Sequence, residues 1–299
     1  MIDDDNVIFG HSVFYVLYKG EDKMSKKLGM KKKRIIFMRH GSSSLSNNNG
    51  YGKLSYDEFT KLLSHDVNPP LSNSNGHFDP AAFVRKIAYY IIVPSHKIKI
   101  YNKLYRYKIK KVPPKPDIIY HSTSRRAIQT ANLINEFYKY QIKIDNSLKD
   151  HLSEVIFSED IITEETYKKK GGLLGCRNIL IEKWFNDENQ AESFSDSLKR
   201  LAELDRILRQ NKFENILLIT HGWYLRLIYL FYERKIIKDR KKTFEHLKKA
   251  PKLKYGKTLK YDIDIEGEPL NEWNSYVNQI LQYYSSSTKQ ESILSEINE

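Results

Sequence analysis

The residues best suited to chemistry in this sequence are Arg39, His40 and Gly41. They follow Arg34–Met38, a short apolar run whose length favours a buried strand over a buried helix. An arginine can hold an anion through two parallel N–H groups, and a histidine can act as a nucleophile or a proton carrier. The glycine lets the backbone turn tightly beside a ligand. Taken alone, such a tripeptide is weak evidence, because it occurs by chance in many chains.

Two further apolar runs end in the same kinds of residue. Glu214–Thr220 stops at His221 and Gly222, and Asp117–Tyr120 leads into a polar segment that contains Arg126. Ligands of α/β proteins bind beyond the carboxyl ends of parallel strands. The pattern therefore predicts three strands of one sheet, with their basic side chains gathered in one pocket.

The order of these motifs resembles that of the histidine phosphatase superfamily, also called phosphoglycerate mutase-like. The motifs are RHG ending at residue 41, RAIQTA at 126–131, LSE at 152–154, ES at 192–193 and ILLITHG ending at residue 222. The resemblance implies catalytic roles for three residues, namely a nucleophile at His40, a proton donor at Glu154, and His221. It also implies a set of phosphate-binding candidates: Arg39, Arg126, His221, Gly41 and Asn47.

The catalytic acid is the least certain of these assignments. The family often continues with glycine and tryptophan after the acid, whereas Val155–Asp160 follows here. Asp150, Glu159 and Asp160 therefore stay open as alternatives to Glu154. Another departure is Thr123, which stands where the family usually has proline.

The alternation of strands and helices predicts an α/β fold. The resemblance implies a three-layer sandwich, in which a mixed, mainly parallel sheet carries helices on both faces. We expect an N-terminal extension over residues 1–33, with an extra strand or a packed arm at 7–18 and a linker at 19–33. The phosphatase domain covers 34–266, with a basic insertion at about 94–116, and a C-terminal helix and polar tail cover 267–299.

Helical spacing of apolar residues predicts helices at about 79–91, at about Ser124–Tyr140 and after Ser193. Trp223–Arg234 is apolar nearly all round and predicts a buried helix. A helical turn or two is expected at 56–63, a closing strand at 258–265, and a last helix at 272–284. The pattern between 145 and 175 indicates no definite element.

The chain has 50 Lys and Arg against 37 Asp and Glu, a net charge of +13. This balance favours anionic partners, first of all a phosphorylated small molecule or phosphoprotein. Two basic stretches, Lys97–Lys115 and Arg234–Lys260, are expected to be peripheral and exposed. They are compatible with nucleic acid or an anionic surface, but a solvated surface is the favoured interpretation.

Cys176 is the single cysteine, which argues against a disulfide framework or a cysteine metal cluster. The apolar stretch Val7–Tyr18 is shorter than the roughly 20 residues that a membrane span needs, and its flank is acidic. We expect a cytoplasmic protein without a membrane span. No metal and no cofactor are expected, because arginines and histidines supply the positive charge.

The chemistry that follows is phosphomonoester hydrolysis through a phosphohistidine at His40, independent of metal. A phosphoglycerate mutase-type phosphotransferase is an alternative, although Ser42–Ser46 lacks the acid and tryptophan that family mutases usually carry there. A catalytically inactive phosphate-binding or scaffolding module is another alternative.

Overall fold

The computed structural model describes residues 31–42, 54–64, 69, 71 and 112–297, with side chains described up to 285. Its sheet has five strands in the order β3-β2-β4-β1-β5. Neighbours pair in parallel, except that β5 runs antiparallel to β1. The strands are β1 Lys32–Arg39, β2 Ile118–His121, β3 Lys143–Asp145, β4 Asn215–Thr220 and β5 Thr258–Asp264.

Both faces of the sheet are buried, as expected for parallel strands covered by helices. Side chains alternate along β1, so Ile35 and Phe37 enter one core while Ile36 and Met38 enter the other. All four are 0–1% exposed. Helices therefore cover both faces, which confirms the predicted α/β sandwich with a mixed, mainly parallel sheet.

Eight helices surround the sheet in the described part of the chain. They are α1 Tyr56–Leu63, α2 Arg125–Phe137, α3 Glu164–Lys169, α4 Leu173–Phe185, α5 Phe194–Gln210, α6 Tyr224–Tyr232, α7 Arg240–Lys249 and α8 Glu268–Ile297. None of these combines the length and apolar character that crossing a membrane requires.

Local sequence explains where several helices begin. Ser55 and Ser193 each form a capping box, in which the serine accepts from a backbone N–H of the first turn and an acid three residues later bonds back. Ser124 caps α2 by accepting from the N–H of Ala127. The predicted helices at 56–63, 124–140, 193 onward and 223–234 are confirmed within a few residues.

Some expectations need correction. Lys33 was assigned to a linker, but it lies in β1 and is buried. Its Nζ donates to the backbone oxygens of Leu208, Arg209 and Asn211 at the end of α5. The last helix is longer than predicted and continues to Ile297, through much of the expected tail.

The region 145–175, for which no definite element was expected, contains α3 and the start of α4. Other predictions lie outside the described residues: the arm at 7–18, the helix at 79–91, and most of the Lys97–Lys115 stretch. The proposed domain boundaries stay predictions, although α8 contributes Trp273, Ile280 and Tyr284 to the larger core.

The topology positions a site at one edge of the sheet. Arg39 is paired with Thr220 across β1 and β4, and His121 with Ile219 across β2 and β4. The carboxyl ends of the three central strands therefore meet, and the residues that follow them face a common space.

Candidate active site

A cavity of about 1030 Å³ opens at the carboxyl edge of the sheet. Its walls include the four side chains that the sequence placed in one pocket, namely Arg39, His40, Arg126 and His221, and also Glu154, the favoured candidate for the acid. The backbone N–H of Gly41 donates to Oγ1 of Thr130, on α2, over 3.0 Å. Asn47, the remaining candidate, lies outside the described residues.

His40 follows β1 and is only 4% exposed. Its backbone N–H donates to the oxygen of Thr220 on the neighbouring strand, which continues the parallel pairing past the strand end. Its Nδ1 lies 2.6 Å from the carbonyl oxygen of Gly41, and its Nε2 lies 3.0 Å from Nε of Arg126. The imidazole is thus held at both nitrogens.

The contacts determine the tautomer of His40. A guanidinium group only donates, so Nε2 accepts from Arg126 and carries a lone pair. The proton is then on Nδ1, which donates it to the oxygen of Gly41. Burial, followed by the positive charges of Arg126 and Arg39, holds the pKa of His40 well below the ordinary 6.5, despite the opposing effect of the Gly41 carbonyl. The side chain is therefore neutral, and the lone pair of its Nε2 faces Arg126.

Arg126 joins the two histidines. Its Nε contacts His40, and its Nη2 lies 3.1 Å from Nδ1 of His221. The other nitrogen of His221 lies 2.6 Å from Oγ of Ser122, at the end of β2. The histidine ring centroids are 5.0 Å apart. One guanidinium, fixed on the first turn of α2, thus spans the ends of β1 and β4.

Arg39 is held by the segment before β5. Its Nη1 donates to the oxygen of Leu253 over 2.6 Å, and its guanidinium carbon lies 4.0 Å from the centre of the Tyr255 ring. Gly222 allows this placement, because a Cβ there would come within 3.1 Å of the Arg39 guanidinium. The glycine after His221 therefore makes room for the arginine before His40.

Glu154 lies beside His221 in the wall of the cavity. Its Oε1 accepts from the backbone N–H of Tyr224 at 3.2 Å, and its Oε2 lies 3.7 Å from Nδ1 of His221. Burial raises the pKa of Glu154 above its ordinary 4.5, although Arg126 and the N–H of Tyr224 oppose the rise. This half-buried carboxyl therefore keeps its proton more readily than an exposed glutamic acid does.

The alternative acids occupy other positions. Asp150, Glu159 and Asp160 are exposed, and none of them lines the cavity. Arg125, the neighbour of Arg126, is also exposed, as expected for a residue about 100° further around the helix.

A mostly buried ion pair supports the loop that carries Glu154. Arg200 on α5 donates from Nε and Nη2 to Oε1 of Glu192, over 3.0 and 2.6 Å. Its Nη1 lies within 3.2 Å of three backbone oxygens of the loop, those of residues 150, 151 and 153. The other oxygen of Glu192 accepts from the N–H of Ile156. The pair thus binds the loop on both sides of Glu154.

Sequence reasoning missed several residues of this site. The sequence indicated Glu192 only as part of a motif. It placed Arg200 in a predicted helix but indicated no role for this side chain. The sequence did not indicate Ser122 as the partner of His221. Arg226 offered a signal that was overlooked, since an arginine in an otherwise apolar, buried helix is unusual.

The basic stretch Arg234–Lys260 was predicted to be peripheral and exposed, but part of it is buried and part of it lines the cavity. Thr243, Leu247 and Ala250 are buried in it. Lys248, Lys252, Leu253 and Tyr255 line the cavity. Its helix and loop form one wall of the site, because the apolar side of α7 packs on the core while its lysines reach solvent.

Comparisons with known proteins give one family. The model described as histidine phosphatase superfamily (branch 1) matches residues 106–250. No curated protein matches the chain. Several solved structures are similar to the chain. One is the alpha-ribazole phosphatase from Shigella flexneri (16% identity, covering 77% of this chain and 91% of that chain, TM-score 0.40), and another is YhfR from Bacillus stearothermophilus (17% identity, covering 77% and 91%, TM-score 0.44). A third is a phosphoserine phosphatase mutant from Entamoeba histolytica in complex with phosphoserine (15% identity, covering 78% and 95%, TM-score 0.40).

The matched residues include Arg126, Glu154 and His221. The RHG motif lies before the match, and the fold brings His40 into contact with Arg126 in the same cavity. The motifs that resembled the family are therefore joined in space as well as in order. Over residues 106–250, the chain is similar to the histidine phosphatase superfamily.

Proposed function

We propose that this protein is a phosphomonoester hydrolase that acts through a phosphohistidine formed at His40. The observation that carries the proposal is the state of that side chain: Nδ1 holds the proton against Gly41, and Nε2 keeps a lone pair that accepts from Arg126. An imidazole nitrogen held in this way is ready to attack phosphorus.

In the first step, the phosphoryl group enters between the two arginines and displaces Arg126 from Nε2 of His40. Nε2 attacks phosphorus, and the bond from phosphorus to the ester oxygen breaks. Arg39 and Arg126 offer planar donor pairs to the phosphoryl oxygens, whose negative charge they neutralise in the transition state. Their side chains are already held by Leu253, Tyr255 and the histidines, so little ordering remains to be done during the reaction.

The leaving alkoxide takes its proton from Glu154, whose raised pKa favours the protonated form. In the second step, Glu154 removes a proton from water as the water attacks the phosphohistidine. The bond between phosphorus and Nε2 then breaks and inorganic phosphate leaves. The guanidinium groups of Arg39 and Arg126 supply the positive charge, so no step of this scheme calls for a metal ion.

A phosphate-release assay tests the proposal against a binding module. His40→Ala should abolish release from every phosphomonoester that the wild-type protein hydrolyses. His121→Ala is the matched control. His121 is also buried at a strand end, and its Nδ1 contacts the backbone oxygen of the next residue, Ser122, but it does not line the cavity. Equal loss in both variants would point to misfolding, and full activity of His40→Ala would overturn the proposal.

A further inference from the structure

A second group of basic side chains lies in the cavity, away from His40. Trp223, at the start of α6, has two guanidinium groups near its ring. The guanidinium carbon of Arg226 lies 4.4 Å from the ring centre and that of Arg177 lies 5.1 Å from it. Arg177 comes from a different helix, α4. All three residues line the cavity.

Arg226 is buried, with 6% exposure. No carboxylate in the described part of the chain lies within ion-pair distance of it. Burial, and then the positive charges of Arg177 and Arg39, lower the pKa of Arg226 to about 10. A buried guanidinium whose strongest charged neighbours are also positive is costly, and a bound anion removes that cost.

The surroundings of Arg226 extend the positive charge toward solvent. Arg177 is exposed, and no ion pair holds it among the described residues. Lys248 and Lys252 stand on the wall formed by α7 and the loop after it. Among the described residues that line the cavity, there are six cations and two carboxylates, namely Arg39, Arg126, Arg177, Arg226, Lys248 and Lys252 against Glu154 and Glu182.

A single phosphoryl group beside His40 does not use this arrangement. Arg39, Arg126 and His221 already surround that position, and the cavity of about 1030 Å³ has room for a much larger molecule. The positive charge of Arg39 contributes to the lowered pKa of Arg226. The basic side chains beside His40 and those beside Trp223 therefore form one continuous region of positive charge in the cavity.

We propose that Arg226 and Arg177, which both lie near the ring of Trp223, form a second anion subsite for a carboxylate or phosphate group elsewhere on the substrate. The inference rests on the proposed hydrolase function for its kinetic test. It makes the preferred substrate a phosphomonoester with a second negative group, and it gives Trp223 an apolar surface for the atoms between the two groups. Arg226 and Arg177 bind and position the substrate but take no part in the bond changes.

Matched substrates test the subsite and its ligand chemistry. Fructose 1,6-bisphosphate against fructose 6-phosphate reports a second phosphate, and 3-phosphoglycerate against glycerol 3-phosphate reports a carboxylate. For at least one pair, we expect a wild-type preference in kcat/KM for the doubly anionic member of roughly 10- to 100-fold, the size expected for charge-assisted hydrogen bonds. The pair that shows the preference identifies the chemistry.

Two variants and one control locate the effect. Arg226→Met and Arg177→Ala should each reduce the preference, mainly through KM of the doubly anionic substrate. Lys241→Ala also removes one positive charge, from the exposed side of α7 away from the cavity, and should leave the preference unchanged. Arg226→Met should not lower the melting temperature, since it removes a buried charge that has no counter-charge.

A binding experiment separates this inference from the proposed function. In the His40→Ala background, calorimetry should show tighter binding of the doubly anionic member, and Arg226→Met should weaken it. Binding that discriminates without hydrolysis by the wild-type protein would support the subsite and reject the hydrolase. Hydrolysis without a preference in either pair would overturn the subsite. Variants that lower kcat/KM equally for both substrates of a pair would overturn it too.

Discussion

Replacement of Arg200 by methionine tests the support beneath the catalytic loop. The substitution removes two hydrogen bonds to Glu192 and three contacts with loop carbonyls. It leaves Glu192, with 12% of its side chain exposed, without its counter-charge. Breaking a buried pair from one side costs about 3–5 kcal/mol, and the residual exposure favours the lower end, about 3 kcal/mol. The melting temperature should then fall by roughly 6–12 °C.

Arg206→Met is a matched control on the same helix. Arg206 also contacts a glutamate, Glu203, through two nitrogens at 2.8 and 2.6 Å. That pair is exposed, with 56% and 44% of the side chains accessible, so its loss should cost less than about 1 kcal/mol. Adding Glu192→Gln to Arg200→Met should recover part of the lost stability, because the unpaired buried charge is then gone.

Activity measurements on Arg200→Met show whether Arg200 positions Glu154 for catalysis or only stabilises the fold. At a temperature where Arg200→Met remains folded, hydrolysis of alkyl phosphates should fall more than hydrolysis of para-nitrophenyl phosphate, whose leaving group hardly needs a proton. Chemical unfolding and steady-state kinetics measure both effects. Equal destabilisation by Arg200→Met and Arg206→Met, or an equal loss on both substrates, would refute the reasoning.

Three further predictions concern the chemistry itself. Glu154→Gln should slow hydrolysis of alkyl phosphates by ~10²–10⁴-fold while para-nitrophenyl phosphate is affected far less; an equal loss in steady-state assays would mean that another group is the acid. The pH profile of kcat/KM should rise as His40 loses its proton, at a pH below the ordinary 6.5, and should fall as Glu154 loses its proton, above the ordinary 4.5; Glu154→Gln should remove the falling side, and a falling side that survives would contradict the assignment. Dialysis against a chelator should leave turnover intact, and a loss restored by a divalent cation would show that the positive side chains do not suffice.

The strand framework was predictable because its signals are local and strong. Arg34–Met38 and Glu214–Thr220 are apolar runs of strand length, and each ends in a histidine and glycine. Burial on both faces makes such runs continuous rather than alternating, which favoured a parallel sheet. The residues of the cavity that follow the strands were predictable for the same reason.

The rest of the site depends on contacts between distant segments. Arg200 and Glu192 are eight residues apart, but their effect on Glu154 comes from the fold of a loop whose sequence has no periodic pattern. Arg177 and Arg226 approach the same indole ring from two helices. Neither helical period nor composition indicates which charged side chains turn inward, so these groups were interpreted as surface or core.

The central claim is a covalent phosphoryl group on His40, and rapid-quench labelling tests it most directly. Wild-type protein is mixed with a labelled phosphomonoester, quenched within its first turnover and digested under alkaline conditions. This digest should yield one phosphorylated peptide. The label should be on His40, should be lost in acid and stable in base, and should be absent from His40→Ala. Phosphate released at the wild-type rate by His40→Ala, or steady turnover with no labelled protein at any quench time, would contradict the account.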